Sequence, residues 1–460
     1  MITLVLAERE VAQIDRAAQA PQETAGVLIA TSVASADGSE RLLARELVLV
    51  PDAAYRRRAA DSMIVTSEGY VPALRVAEGL QAIPIWFHTH PGIGSRPLPS
   101  AHDAIVDSEL APLFRLRAGS PYYGSLIVSP TESALAFSGS LRTEERVLPI
   151  TRLWCVGEDW QLLHAVDAQE AELSAAYDRN IRALGSAVQA ALAALRVAIV
   201  GCGGTGSAVA EQLVRLGVRS VLLIDPDSMS LTNVTRVYGS TPDDVGRPKA
   251  DVLLAHLQRI APDLDGEALV SKVTVESTAR RLIGPDLVFG CTDDNAGRLV
   301  LSRAANYLLT PVIDVGVLLT SDAAGNLIGI DGRVTVLRPG GACLVCRNRI
   351  DLARAAVEQL RADERQRLQT EGYAPALPGV EPAVVTFTTA VAASAVSELL
   401  ERMVRYGPRP RPGEILLRLH EREISTNIAV STPGHYCDVA SGKLGAALAT
   451  PFLEQTWASA

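Results

Sequence analysis

The chain has 460 residues, 48% of them hydrophobic and 21% charged, which is enough material for two or three globular domains with cores of their own. Its formal net charge is −9 and its pI is near 5.4, which argues against nonspecific nucleic-acid binding as the main activity. That balance leaves room for protein partners and for phosphates held at local basic sites.

The N-terminus, MITLVLAEREVAQID, lacks a basic start and turns charged by Glu8, unlike a secretory leader. The most apolar long run, 384–396, carries threonines and a serine and is too short to span a membrane, so a buried helix is expected there. The cysteines (Cys155, Cys202, Cys291, Cys343, Cys346 and Cys437) do not form a small-domain disulfide framework. A cytoplasmic, reducing setting is the expectation.

Residues 1 to about 148 read as a separate α/β unit. A helix is expected over 8–19, with Val11, Ile14 and Ala18 on one side, and strands over 24–31 and 41–50. Arg56, Arg57 and Arg58 read as a solvated basic face. A short apolar strand, IPIWF at 83–87, then delivers His88-Thr-His90-Pro91. Side chains two apart on a strand point the same way, so both imidazoles can face one metal. Ser100 and Asp103 follow in the first turn of a helix expected over 100–110, on one side of it. His102, between them, reads as a surface residue. Two histidines and an aspartate, with a fourth position left for water, are a catalytic zinc pattern, and such a metal lowers the pKa of its water. Glu23, in QETAG, is the candidate general base.

These residues resemble the JAB/JAMM (MPN) metalloprotease family: a glutamate on an early strand, then H-x-H-P, then S-x-x-D. The resemblance implies cleavage after the C-terminus of ubiquitin-like proteins. It assigns His88, His90 and Asp103 to zinc, Glu23 to proton transfer and Ser100 to the oxyanion. The interval between His90 and Ser100 holds nine residues, longer than usual, and its Gly92, Gly94, Pro97 and Pro99 fit an extended loop. A degenerate, metal-free scaffold that only docks the partner is the alternative.

Residues 149–178 read as a helical connector, from Trp154, Trp160 and Leu163 into an alanine-rich helical stretch over 171–194. The chain then enters RVAIVGCGGTGSAVAEQLVRL at 196–216: a buried strand (197–200), a turn with Gly201, Gly203, Gly204 and Gly206, and a helix. The glycines permit a tight turn and close approach to a ligand, and the N-terminus of the helix suits a phosphate. A second strand, 221–224, ends at Asp225, 24 positions after Gly201, about where a ribose-binding carboxylate belongs.

The residues after it make the pattern specific: Asp225-Pro-Asp227, Asn233, Arg236, then DVGRPK ending at Lys249, and a strand over 286–290 ending in Cys291-Thr-Asp293-Asp294. Over 177–316 this resembles the ubiquitin-activating family, including the ThiF and MoeB adenylyltransferases. The implied fold class is an N-terminal JAB/MPN α/β domain followed by a Rossmann-like adenylyltransferase domain over 179–440, with a tail at 441–460. The implied chemistry joins a carboxylate to the α-phosphate of ATP with magnesium. Asp225 would hold the ribose, and Asp227 would join the nucleotide site. Asn233, Arg236 and Lys249 would contact the phosphates, and Asp293 would bind magnesium or position the acyl adenylate. Arg179 matches the arginine that reaches the γ-phosphate, often from a second subunit, which implies a homodimer. Val237 and Asp294 depart from the usual glutamine and asparagine. A nicotinamide dehydrogenase shares the glycines but gives no role to Arg236, Lys249 and Asp293.

Cys343-x-x-Cys346 is half of a structural zinc site, with Cys437 and His435 as candidates for the rest. Reduced, unliganded thiols and a thioester nucleophile are the other readings. The stretch 371–381, which matches the crossover loop that holds the nucleophile in relatives, contains no cysteine. Cys202 and Cys291 read as small packing residues. A charged exposed helix is expected over 351–369, a core-closing helix over 382–400, a stiff loop over 407–413 and a strand over 415–419. The expected partner is a ubiquitin-like or sulfur-carrier protein, with a conjugating enzyme further along one route. The alternative setting is sulfur transfer in cofactor or cysteine biosynthesis.

Overall fold

A computed structural model of the chain describes residues 1–94, 97–132, 134–166, 174–360, 364–365, 367 and 383–457. The chain divides into two compact units, Met1–Ala171 with Leu444–Leu448, and Glu172–Lys443 with Ala449–Ala460.

The first unit is built on one mixed sheet. Its strands are β1 (Ile2–Ala7), β2 (Ala25–Ala34), β3 (Glu40–Leu49), β6 (Ile83–Thr89), β7 (Tyr123–Pro130), β8 (Leu135–Arg142), β9 (Val147–Pro149), β10 (Arg152–Val156) and β11 (Trp160–His164). Their order across the sheet is β11-β10-β1-β3-β2-β6-β7-β8-β9, and a small ribbon of β4 (Tyr55–Arg58) and β5 (Met63–Val65) stands apart. Alternation along β2 feeds two cores. Leu28 and Ala30 join the core that contains Ile14, Ala17 and Ala18 of α1 (Glu8–Ala18). Val27 and Ile29 join the core under α2 (Val71–Gly79) and α3 (Ala101–Ala118), with Trp86 and Phe114 at its centre.

One sequence expectation fails here. Residues 152–164 are not helical. β10 pairs in parallel with β1 and antiparallel with β11, and Trp154 and Trp160 are fully buried. β-Branched and aromatic side chains that fit a buried pleat outweigh the weak helical pattern. The unit therefore runs past the expected boundary at 148. Among the described residues the helical stretch expected over 171–194 forms a short 3-10 turn at Ala175–Tyr177 and then α4 (Asp178–Leu184) and α5 (Ser186–Ala194), broken at Gly185 with φ +89°.

The second unit carries β12 (Arg196–Val200), β13 (Ser220–Ile224), β14 (Asp265–Leu269), β15 (Leu287–Gly290), β16 (Val312–Ser321), β17 (Leu327–Leu337), β18 (Glu414–Arg418) and β19 (Glu423–Asn427), in the order β14-β13-β12-β15-β16-β17-β18-β19. From β14 to β16 the pairs are parallel, and from β16 to β19 they are antiparallel. The connections run through α6 (Gly204–Leu216), α7 (Lys249–Ile260), α8 (Glu276–Arg280) and α9 (Asn295–Tyr307). The chain leaves β12 towards β13 and β14 and then returns to β15 on the other side. The ends of β12 and β15 therefore flank a topological switch point, where doubly wound sheets bind ligands.

α10 covers Leu352–Glu358, and α11, the expected core-closing helix, covers Val385–Val404. The expected crossover stretch 371–381 and most of 361–369 lie outside the described residues. In the expected tail at 441–460, the described residues from Ala449 on pack onto the second unit. Phe452 and Leu453 are buried, Arg303 donates to the Leu453 carbonyl, and Tyr307 donates to Glu454. Among the described residues no helix is long and apolar enough to cross a membrane.

Candidate functional sites

In the first unit β6 ends in a cluster of metal-ligating groups. His88 pairs with Ala25 across β2, and the Thr89 N–H donates to the Thr24 carbonyl. This register carries Glu23, just before β2, to the same end of the sheet as both histidines. Ser100 caps α3: its hydroxyl accepts from the Asp103 N–H at 3.1 Å, and Asp103 accepts from the Ser100 N–H at 2.7 Å. This capping box fixes the carboxylate facing β6. Asp103 oxygens lie 3.3 Å from His88 Nε2 and 3.7 Å from His90 Nε2. His102 is exposed on the same helix.

The cluster fits a zinc ion. A tetrahedron with Zn–N and Zn–O bonds of about 2.0–2.1 Å has edges of roughly 3.4 Å, close to the observed contacts. The ligand atoms of His88, His90 and Asp103 all lie within 4.8 Å of one another. His88 Nε2 is buried, and among the described residues no neighbour meets it with hydrogen-bond geometry. Burial opposes ionisation of Asp103, yet the His88 ring beside it and the Ser100 N–H hold its carboxyl below the usual range. Burial raises the Glu23 carboxyl, towards what a proton shuttle needs.

The solvated basic face expected at Arg56–Arg58 is only partly that. Arg56 and Arg57 are exposed, but Arg58 is a clamp. Its Nε donates to the Glu23 carbonyl at 2.9 Å, and its Nη2 donates to Thr24 Oγ1 at 2.6 Å. Its guanidinium also lies 4.7 Å from the centre of the Tyr55 ring, and the Tyr55 hydroxyl accepts from the Ala25 N–H.

In the second unit the glycine turn sits at the switch point. Gly201 has φ +95°, and a Cβ there would stand 2.6 Å from the Cys291 carbonyl oxygen. A Cβ on Gly206 would stand 1.8 Å from the Gly201 carbonyl oxygen, so the helix can follow the turn this closely only with glycine. Gly203 is the N-cap of α6, and Gly204 opens the helix beside the Arg236 side chain. Asp225 ends β13 almost fully buried, accepting from the Cys202 N–H at 2.6 Å and the Asp227 N–H at 2.8 Å. Burial pushes its carboxyl up, while those N–H groups and Lys249 favour the ionised form. Lys249 Nζ lies 2.8 Å from Asp227. Asn233 accepts from the Ser230 N–H, and Arg236 donates to the Thr232 carbonyl. Asp293 lies exposed in the loop after β15. Arg179 is exposed on α4, and among the described residues no hydrogen bond or ion pair ties it to the turn. Burial drives the Cys202 and Cys291 thiols well up, which leaves them protonated.

A second cluster gathers Cys343, Cys346, His435 and Cys437. His435 Nδ1 lies 3.5 Å from the sulfurs of Cys343 and Cys346 and 3.3 Å from that of Cys437. The Cys346 and Cys437 sulfurs are 3.6 Å apart. A tetrahedron with Zn–S of about 2.3 Å and Zn–N of about 2.0 Å has edges of roughly 3.5–3.8 Å, so the four residues fit a structural zinc. The Thr432 N–H points at Cys346 Sγ, an outer-shell contact of the kind that holds thiolate ligands. The Cys343 thiol is pulled down by its contact with Cys437, and the Cys437 thiol is pushed up in turn.

The chain is 32% identical over 226 residues to ubiquitin-like modifier-activating enzyme 5 of Oryza sativa subsp. japonica, covering 46% of this chain and 48% of that one. It is 33% identical to the sulfur carrier protein ThiS adenylyltransferase of Escherichia coli K12, covering 31% of this chain and 53% of that one. The chain thus spans about half the length of these curated relatives. A crystal structure of E. coli MccB with ATP superposes over 57% of this chain and 73% of that one, with 20% identity and a TM-score of 0.43. The model of the ThiF family matches residues 177–439, more than half of the chain, and the protein belongs to that family.

Proposed function

We propose that the second unit adenylates the C-terminal carboxylate of a ubiquitin-like or sulfur-carrier protein, using ATP and magnesium. One observation carries this reading: within the ThiF-family match, Asp225, Arg236 and Lys249 cluster at a glycine turn on the switch point of the sheet. The relatives named for activating such proteins support the partner class.

The turn N–H groups and the α6 dipole hold the phosphates. Asp225 shapes the turn and faces the ribose, and Asn233, Arg236 and Lys249 spread the negative charge where two anions must meet. A carboxylate oxygen attacks the α-phosphorus, the bond to the β-phosphate oxygen breaks, and pyrophosphate leaves with that electron pair. Asp293 and Asp227 are the carboxylates that would hold magnesium, which neutralises the departing pyrophosphate. Arg179 would reach the γ-phosphate of a second copy.

For the first unit the reading is a zinc hydrolase of the JAB/JAMM type, acting on the same class of protein to mature it or release it. His88, His90 and Asp103 would hold the metal, which would supply an activated water and polarise the scissile carbonyl. Glu23 takes the proton of the attacking water and returns it to the leaving amine. Ser100, whose oxygen is already fixed by the Asp103 N–H, donates its hydroxyl proton to the developing oxyanion.

ATP–pyrophosphate exchange by the full chain with a Gly-Gly-ending ubiquitin-like protein tests the adenylation reading. Exchange that needs the free carboxylate and is lost in Asp293→Ala supports it. Bound ATP without exchange, with a trimmed partner present, rules it out.

A further inference from the structure

Beyond the glycine turn, the same end of the sheet holds an unbalanced charge cluster. Asp314 of β16 pairs in register with Gly290, the last residue of β15, and its side chain is fully buried. Two guanidiniums share it. Arg333, on β17, donates from Nη2 to Asp314 Oδ2 at 2.7 Å. Arg298, in the first turns of α9, brings Nε to 3.4 Å from Oδ1 without hydrogen-bond alignment. Their side chains are only 17% and 16% exposed. One buried carboxylate therefore faces two half-desolvated cations, a net charge of about +1 that favours a second anion.

Two other carboxylates near the start of α9 are engaged elsewhere. Asp294 accepts from the Gly297 N–H, and Glu358 accepts from the Ala296 N–H and pairs with Arg354. Both guanidinium tips meet at a glycine: a Cβ on Gly316 would stand 3.4 Å from Arg298 Nη2 and 3.5 Å from Arg333 Nη2. The missing side chain leaves a small recess floored by backbone and walled by two planar donors, which suits a carboxylate.

Position gives this recess a role. β16 lies next to β15, and β15 next to β12, so the recess is two strands, about 10 Å, from the strand that ends in the glycine turn. The loop from Cys291 to Asp294 lies between them. A nucleotide at the turn and a carboxylate over Gly316 would approach each other across Asp293. We propose that Arg298 and Arg333, held by Asp314, form the seat for the C-terminal carboxylate of the protein substrate; this rests on the adenylation reading above.

The test is ATP–pyrophosphate exchange by the full chain with a ubiquitin-like protein ending in Gly-Gly, comparing wild type with Arg333→Gln, Arg333→Lys and Gly316→Ala. The seat predicts that Arg333→Gln raises the half-saturating concentration of the protein substrate roughly ten- to a hundredfold, the loss of one charge-assisted pair. Arg333→Lys falls between, because it keeps the charge and loses the fork. Gly316→Ala keeps both arginines, fills the recess and raises the same constant, so it still decides the matter if Arg333→Gln fails to fold. The half-saturating ATP concentration and the affinity for a fluorescent ATP analogue stay at the wild-type values. The same partner with a C-terminal amide binds wild type and variants alike. Unchanged substrate saturation in Arg333→Gln and Gly316→Ala overturns the seat. A parallel loss of ATP binding, or an equal loss with the amide, also overturns it in favour of a purely structural triad. Wild-type protein that binds ATP but supports no exchange overturns the adenylation reading instead, and the seat falls with it.

Discussion

Neutralising Glu414 perturbs a single buried group that ties the antiparallel half of the second sheet to the segment after Cys346. Its carboxylate is fully buried and accepts from Arg349 Nε at 2.9 Å and Nη2 at 2.8 Å, from Thr335 Oγ1 at 3.1 Å and from Asn427 Nδ2 at 3.1 Å. Burial alone would raise its pKa. The Arg349 fork and the other donors more than offset this and bring it from 4.5 down to about 2. A depressed carboxyl contributes stability that is complete above its unfolded pKa and is lost as pH falls through the folded one. The shift is worth about 3 kcal/mol at pH 7 and about 1 kcal/mol at pH 3, and it vanishes below pH 2. Glu414→Gln keeps the shape and removes the charge. We expect hydrogen exchange of the β17 and β18 amides in that variant to show an opening free energy lower by about 3 kcal/mol at pH 7. The gap to wild type closes between pH 4.5 and pH 2. A gap under about 1 kcal/mol at pH 7, or one that does not change with pH, would refute the argument that ionic pairing dominates here.

Gly206→Ala should abolish binding of a fluorescent ATP analogue while leaving the first unit folded, because its Cβ would overlap the Gly201 carbonyl at 1.8 Å; near-normal affinity would contradict the turn geometry. Purified full chain should contain about two zinc ions by elemental analysis. His88→Ala should remove one and His435→Ala the other, independently, and a shared loss would mean the two clusters do not act as separate sites. Arg58→Ala should lower the proposed hydrolysis about tenfold through kcat, with zinc retained and KM little changed, since Arg58 fixes the Glu23 backbone and does not touch the metal ligands. An unchanged kcat would reduce the clamp to a packing contact.

Much of this was legible in the sequence because the chemistry sits in short local patterns. The strand-turn-helix of 196–216 needs glycine at places a reader can locate, and H-x-H followed by S-x-x-D sets a strand end against a helix start. Residues 152–164, expected to lie in a helical connector, form strands for a physical reason. Trp154 is placed by pairing with Val5 of β1, some 150 residues earlier in the chain, and Trp160 by pairing with the strand so placed; no local period records the distant partner. Arg58 and the Arg298–Asp314–Arg333 triad were missed in the same way. Each arginine is ordinary in sequence, and only the contacts of the folded chain show what its guanidinium meets.

The two proposed sites share one construction, and it explains why they can coexist in a chain with an acidic balance. In each, a buried parallel or mixed sheet ends in a turn that delivers the side chains of the site: His88 and His90 at the end of β6, Asp225 just after β13 and Asp293 in the loop after β15. In each, the first turn of a neighbouring helix supplies the groups that complete the site, Ser100 and Asp103 at α3 and the glycine turn at α6. Burial then sets the electrostatics locally, because the charges that matter are held by hydrogen bonds to backbone N–H groups rather than by net charge. Asp103 and Asp225 show the two outcomes of that balance. The His88 ring and the Ser100 N–H overcome burial and keep Asp103 ionised, as a metal ligand must be. Deeper burial leaves Asp225 raised, despite two backbone donors and Lys249. The difference follows from exposure: the Asp103 side chain is 17% exposed, whereas Asp225 as a residue is 5% exposed. Ribose hydroxyls donating to Asp225 would favour its ionised form, so nucleotide binding should release protons over the acidic range in which a raised carboxyl titrates, which calorimetry in buffers of different ionisation heat would detect.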